Sequence, residues 1–519
     1  MSGIRAPRQR RALLAGLIVL LWLAGLGFLV RREYFRPSAE RLAQTGMRIT
    51  PNALFYAVMQ GDRQIGFASS TLDTAATTIS ADDYLTADLP VGGRTHRATA
   101  HTHVVLTRAF HTKAFIVTVN ADGGPMSVRG RVLGDSVLAL RIETGGDTAA
   151  EQRYPLTGPI LLPSLVPLAI ALGERPSVGR RYALLVFDPM GMMPREISVE
   201  VRAESSFVVH DSSAFDRGSN RWRAVLPDTL HAFELATAAG AGGAAFSGWV
   251  DDQGRVVQTA QLGFELRRLP YEVAFENWRL ARGTASRAAP VARAHDILET
   301  TAIAASRAPR DSVERLRVLL ENAQLAGFDL AGGRQRLSGD TLTITQEGPR
   351  ALQAHYLLPF SGRRSPFTRA EPLIESDAPE IRQLAARIVG GEQDPLTAAQ
   401  LINRWVHDSL RKKVTLGIPD ALRVLHARAG DCNEHTQLYV ALARAAGLPA
   451  RVAAGVAFVD GKFYYHAWPE VLLGSWVAVD PTFGQFPADA AHLRFTVGGL
   501  GRQAELLRLM GRLRIEVLD

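Results

Sequence analysis

From about Leu54 to Leu280 apolar and polar residues alternate between turn signals, and this two-residue period is the strongest constraint on the fold. "YAVMQGDRQIGFASSTL" alternates about a Gly-Asp turn, and "HTHVVLTRAFHTKAFIVTVNADGG" and "DSVLALRIETGG" end in turn residues. "FSGWVDDQGRVVQTAQLGFELRRL" reads as two strands about Asp252 to Gly254. Strands joined so closely can only pair antiparallel, which predicts one large curved sheet in a β-rich domain over residues 45–280. Inside this region "PLTGPILLPSLVPLAIALG", Pro155 to Gly173, is apolar, but four prolines oppose a regular transmembrane helix. A short helix packed over the sheet is expected instead.

A chain of 519 residues needs more than one core. An Ala/Arg/Pro-rich stretch, "ARGTASRAAPVARAHD", opens a linker and small β unit expected over 281–365. After Phe367 the apolar spacing becomes helical, which marks a further domain over 366–519. The 59 Lys and Arg exceed the 51 Asp and Glu, but six arginines lie in the first 32 residues and the remainder is close to neutral. Nucleic-acid binding is therefore not expected.

Between those arginines runs "ALLAGLIVLLWLAGLGFLV", Ala12 to Val30, uncharged and long enough to cross a bilayer as a helix. The expectation is a cytoplasmic tail over 1–11 and a single-pass anchor over 12–30. The arginine bias places the N-terminus inside and the body outside the inner (cytoplasmic) membrane, in the periplasm. The chain has a single cysteine, so it forms no internal disulfide.

That cysteine, Cys432, lies in "RAGDCNEHTQLYVALARAAGLPAR". Gly430 ends a loop, Asp431 is a plausible cap, and a helix carrying Leu438, Leu442 and Ala445 on one face ends at Gly447. A thiol in the first turn of a helix meets unpaired N–H groups and the positive end of the dipole, which favour a thiolate and an oxyanion. A nucleophilic thiol also needs a base. His435 is near in sequence but must reach back past the nucleophile. His466 is the better base. It lies on the middle strand of a meander, "RVAAGVAFVDGKFYYHAWPEVLLGSWVAVDPTFG", with Asp460-Gly461 as a two-residue hairpin turn. Asp480 ends the third strand and is placed to orient His466 on one condition of register. A two-residue turn at Gly474-Ser475 would send the two side chains to opposite faces, whereas a three-residue loop, Leu473 to Ser475, sets Asp480 opposite Trp468 and diagonal to His466. Trp468 shares the His466 face and is the candidate substrate-binding residue.

These motifs, "RAGDCNEHTQLYVALARAAGLPAR", "YYHAW" and "WVAVDPTFG", together resemble the transglutaminase-like superfamily, a branch of the papain-like thiol enzymes, over about Arg382 to Phe495. The resemblance implies Cys432 as nucleophile, His466 as base and Asp480 as the residue orienting it. Membrane-anchored bacterial proteins of this superfamily usually face the periplasm. The β-rich region is loosely similar to the lipoprotein-carrier-like half-barrels of exported bacterial proteins. The expected fold class is thus α+β multidomain, with an N-terminal transmembrane helix, a large antiparallel β-rich domain and a papain-like, transglutaminase-like α+β domain. The implied chemistry is acyl transfer on amide bonds by a cysteine protease or amidase acting on a protein or peptide. The alternatives are a cross-linking transglutaminase and a non-catalytic envelope module that binds lipid or peptide. The β-rich domain would meet a cell-envelope partner. No cofactor, metal or calcium dependence is expected.

Three further features have plainer readings. His96, His101, His103 and His111 cluster in sequence and are expected as solvent-facing strand residues. Met190, Met192 and Met193 are expected to fill a loop, and Trp405 either lines the cleft or belongs to the core.

Overall fold

The computed structural model describes residues 49–519 apart from residues 123, 145–146, 149–150, 174–175, 190, 238–246, 262, 285–295, 310–312, 361–365, 416 and 519. Strands hold 49% and helices 21% of the described residues.

Seven strands run up and down first: β1 (Asn52–Gln60), β2 (Arg63–Thr74), β3 (Thr78–Val91), β4 (Arg94–Thr107), β5 (Thr112–Ala121), β6 (Gly124–Leu133) and β7 (Val137–Thr144). The helix α1 (Val166–Gly173) follows. A second run comprises β8 (Arg181–Asp188), β9 (Met193–Asp216), β10 (Arg221–Thr237), β11 (Ser247–Asp251), β12 (Val256–Gln261) and β13 (Phe264–Arg268). All belong to one sheet of sixteen strands, because β13 returns to lie antiparallel beside β1, from Tyr56 opposite Arg268 to Gln60 opposite Phe264.

The sheet curls around α1. Val166 and Ile170 of the helix share one core with Leu72, Val104 and Phe115 of the first run and Val199, Phe233 and Val250 of the second. Phe115 meets Phe187 across this core with ring centroids 4.8 Å apart, an aromatic contact worth more than its buried area alone. The short helix expected within Pro155 to Gly173 is therefore present, wrapped by the sheet rather than merely laid on it.

The transmembrane part of the expected fold class requires correction. Among the described residues no helix is long and apolar enough to cross a membrane. The longest, Pro395–Ser409 with 15 residues, rises only about 22 Å against the roughly 30 Å of a bilayer core. The expected span over 12–30 lies outside the described residues, and the single-pass inner-membrane placement built on it is not supported. The architecture is predominantly β, dominated by the one sheet.

The C-terminal part begins with a small sheet of β14 (Arg315–Glu321), β15 (Gln335–Ser338) and β16 (Thr341–Thr345). The helices α2 (Pro379–Val389), α3 (Pro395–Ser409), α4 (Ala421–Ala427) and α5 (Cys432–Ala445) come next. Then follow β17 (Ala450–Val459), β18 (Lys462–Leu472), β19 (Trp476–Ala478) and β20 (His492–Val497). The last strand, β21 (Arg514–Val517), returns to pair with β14. Helix α5 is central: Leu438, Leu442 and the residues between them are wholly buried, packed with Ile381 of α2, Ile402 of α3 and Val424 of α4 on one side and Val452 and Val471 of β17 and β18 on the other. A helix apolar on so many faces is stable only when surrounded in this way. The two parts touch where Thr144 Oγ1 of β7 donates to Asp420 Oδ2 at the head of α4 (2.9 Å), and ahead of the small sheet Asp296 Oδ2 accepts from the Gly93 amide (2.6 Å).

Candidate active site

The start of α5 is set by backbone geometry on its N-terminal side. Arg428 closes α4 in the left-handed conformation (φ 50°). A Cβ at Gly430 would overlap the side chain of Glu434, so only glycine fits beneath the first turn. Asp431 then caps the helix. Its carboxylate accepts from the Asn433 amide (2.9 Å), Glu434 Oε2 accepts from the Asp431 amide (2.9 Å), and the Asp431 carbonyl accepts from the His435 amide (3.1 Å). Such a reciprocal box is worth about 1 kcal/mol. It also consumes the first-turn N–H groups beyond Cys432, so of those expected to hold an oxyanion the Cys432 amide is the one the cap leaves.

Cys432 is half-buried. The Ala467 N–H lies on the sulfur's side and favours its thiolate, and Thr436 Oγ1 donates to the Ala467 carbonyl (3.0 Å). The Thr436 bond fastens the helix start to β18 at the residue that follows His466. The expected bias toward a thiolate is reversed at this position. Burial pushes the thiol well above its ordinary value, and the Asp431, Glu434 and Asp480 carboxylates push the same way against the single Ala467 N–H. Asp431 is itself raised, by burial and by its hydrogen-bonded neighbour Glu434, so a carboxyl pair sits beside the sulfur.

On the sheet side, Asp460 and Gly461 both have positive φ (46° and 88°), as the two-residue hairpin requires. At the other end of β18, Leu472 pairs with Trp476 and Glu470 with Ala478, so the turn contains Leu473 to Ser475. Continuing that register sets Asp480 opposite Trp468 and diagonal to His466. The two side chains meet: His466 Nε2 lies 2.7 Å from Asp480 Oδ2, both buried. With Nε2 committed to the carboxylate, Nδ1 is the ring nitrogen left to exchange a proton.

Asp480 has a second imidazole partner that the sequence did not reveal. His492 Nε2 of β20 lies 3.0 Å from the same Oδ2, and its Nδ1 lies 2.9 Å from Asp489 Oδ1. The Thr482 and Phe483 amides donate to Asp480 Oδ1 at 2.6 and 3.0 Å. Burial alone would raise the Asp480 carboxyl, yet the two histidines hold it far below the usual carboxylate range. For His492 burial acts to lower the value, and the Asp480 and Asp489 carboxylates override it and raise it. His466, Asp480 and His492 offer one ligand atom each within 4.8 Å, close enough to share a metal ion. The same atoms already satisfy one another by hydrogen bonds.

Phe483, 40% exposed, lies parallel to the His466 ring at 4.7 Å and forms the solvent-side aromatic wall. Trp468 does not: it is completely buried against Ala453, Ala478 and Ala488, with its ring 6.0 Å from that of His466. Alternation puts Trp468 on the His466 face, but Ala478 and Ala488 cover it there, so it backs the imidazole and presents no surface to substrate. The sequence signal for His492 was weak. In "HLRFTV" polar residues alternate with apolar ones, yet both faces of that strand are buried.

The remaining candidates have structural places. His435 is wholly buried, its Nδ1–H donates to the Asp431 carbonyl (2.7 Å), and burial lowers its pKa, so it stays neutral and serves the helix start. The Arg428 guanidinium lies over the Trp405 ring at 4.7 Å. His96 is buried beside Asp122 rather than solvent-facing, while the exposed His101 and half-buried His103 flank Asp82 at 3.4 and 2.8 Å. Met192 is buried and Met193 exposed, and Met190 lies outside the described residues.

Residues 382–481 match the model of the Transglutaminase-like superfamily. A 95-residue stretch is 34% identical to an uncharacterized protein of Haemophilus influenzae, a match that spans 17% of this chain and 26% of that one. A candidate cysteine protease from Cytophaga hutchinsonii is similar in structure at 17% identity, covering 39% of this chain and 81% of its own, with a TM-score of 0.27. The periplasmic domain of TgpA from Pseudomonas aeruginosa, solved with ethylmercury, matches at 20% identity over 35% of this chain and 75% of its own, with a TM-score of 0.21.

Proposed function

We propose, with residues 382–481 transglutaminase-like and of a thiol-enzyme family, that this chain is a cysteine peptidase or amidase in which Cys432, His466 and Asp480 act together. The observation that carries the reading is one of placement. His466 of β18, in a buried imidazole–carboxylate pair with Asp480 2.7 Å away, stands one residue from Ala467, whose N–H acts on the Cys432 sulfur. A raised thiol pKa means that no standing thiolate waits at neutral pH. His466 Nδ1 takes the proton as the sulfur attacks the amide carbonyl of a protein or peptide, and Asp480 steadies the imidazolium that forms. The Cys432 amide donates to the developing oxyanion. The imidazolium returns the proton to the leaving amine, and water, deprotonated by His466, splits the thioester to a free carboxylate and the thiol. An amine in place of water would give a cross-link by the same first step.

The test is the rate of Cys432 alkylation against pH, read on the single thiol of the chain. His466→Ala is expected to slow labelling at pH 7 by at least tenfold, and Cys432→Ala to abolish the acyl-enzyme trapped from a peptide mixture and seen by mass spectrometry. Identical alkylation profiles with and without His466 would reject the pairing. Amine incorporation exceeding hydrolysis would move the assignment to cross-linking.

A further inference from the structure

The concave side of the large sheet is not filled. Between α1 and strands β1 to β4 lies a cavity of about 730 Å³, lined by none of the residues of the thiol site. Its walls are aliphatic, with Leu54, Leu72 and Leu85 from the strands facing Leu168 of α1. The turn between β11 and β12 presses on the helix backbone: Gly254 has φ +74°, and a Cβ there would lie 2.5 Å from the Leu168 Cα. The opposite rim carries exposed Thr50 and Ser164, so solvent reaches the space. Apolar cavities of this size with a few fixed polar groups suit small-molecule ligands, for which the usual range is about 300–1,000 Å³.

Several polar groups in the wall are already spent on protein partners. The Tyr56 hydroxyl donates to the Val256 carbonyl (3.2 Å), and the Arg255 guanidinium is held by Asp251 (2.6 Å). Ser70 Oγ donates to Asp83 Oδ1 (2.6 Å), which leaves Asp83 Oδ2 buried without a partner. A buried carboxylate oxygen without a donor is costly, and a ligand that brings an N–H or O–H recovers that cost. A carboxylate-headed ligand would instead set two anions together.

We infer that this cavity binds an aliphatic amphiphile whose head supplies a hydrogen-bond donor, an amine above all, to Asp83. The chain lies among the leucines between sheet and helix, and the head meets the buried, unpartnered Asp83 Oδ2. The site is independent of the thiol chemistry, so it stands or falls separately.

The test uses the full chain and the fluorescent apolar probe N-phenyl-1-naphthylamine, displaced by dodecylamine, dodecanol or dodecanoate below their aggregation thresholds. Saturable uptake of the probe is expected, with dodecylamine displacing it at least tenfold more effectively than dodecanoate and dodecanol between them. Asp83→Asn should erase the advantage of the amine while leaving probe uptake intact. Ala100→Trp, which fills the cavity from β4, should abolish uptake while Cys432 alkylation is unchanged. Absence of saturable uptake, or uptake indifferent to Ala100→Trp in a variant with an unchanged circular dichroism spectrum, would overturn the cavity as a binding site. An amine preference that survives Asp83→Asn would overturn the assignment of its head-group chemistry.

Discussion

Cys432 combines two positions that normally pull a thiol in opposite directions, the first turn of a capped helix and a half-buried niche beside a carboxyl pair. The carboxylates and burial win, which makes the charge of Asp431 and Glu434 a control on reactivity. Glu434→Gln keeps the capping box, because glutamine fills the same role, and removes negative charge close to the sulfur. The thiol pKa should fall, and alkylation at pH 7 should rise several-fold; an unchanged or slower rate would mean that burial alone sets it. His492 shows the same logic in reverse. Its pKa is raised by Asp480 and Asp489 against burial, so its stabilising contribution is full below the unfolded value of about 6.5 and is lost as pH rises through the folded value. The local placements of Cys432, His466 and Asp480 were legible in the sequence because each sits beside a local signal: a cap, a Gly-containing hairpin, a strand end. His492 and Phe483 were not, since one reaches Asp480 only through strand pairing and the other through a loop after it. Trp468 was misjudged because strand alternation tells which face a side chain is on but not what covers that face.

At the scale of elements, the site depends on β17 being flanked on both sides. The hairpin with β18 was readable from Asp460-Gly461, and the Leu473 to Ser475 loop from the requirement that Asp480 reach His466. The docking of β20 on the far edge was not readable, because residues 460–491 separate it from its partner β17 and the pairing contains an irregularity between Ala454 and Gly455. Gly455 explains how the strands fit: a Cβ there would overlap the Leu493 carbonyl. Gly455→Ala must therefore push β20 outward and draw His492 from Asp480. A loss of about 2–3 kcal/mol is expected from overpacking of this kind, measured as a lower urea midpoint, together with slower alkylation of Cys432. Full stability in that variant would mean that the strand shifts without cost. Glu470 secures the same sheet from below, bridging Arg451 (2.5 Å) and Arg494 (2.9 Å) in a buried network that reaches the small sheet through Gln335.

At the scale of the whole molecule, the large sheet and the thiol part meet through a titratable contact. Asp420 accepts from Thr144 of β7 with one oxygen and from the Arg423 amide with the other. Glu375 is pushed up to about 8, by burial and by its hydrogen bond with Asp420. A carboxyl with a raised folded value stabilises fully below its unfolded value near 4.5, and that contribution disappears as pH climbs toward 8. Glu375→Gln should flatten the decline in unfolding free energy between pH 5 and pH 8, as urea titrations at each pH would reveal; an unaltered slope would place the titrating group elsewhere. The size of the sheet was only partly evident beforehand. Alternation marks strands one by one, whereas the pairing of β13 with β1 joins segments far apart in the chain. That seam bears on how the protein is made. On a ribosome β1 emerges early, and its mate follows roughly 210 residues later, ten seconds or more at about 5–20 residues per second. During that interval β1 has a bare edge open to any other strand nearby. Shielding of that edge during synthesis of residues 52–268 is therefore expected to raise the yield of folded protein, measured as soluble yield with and without a co-expressed chaperone.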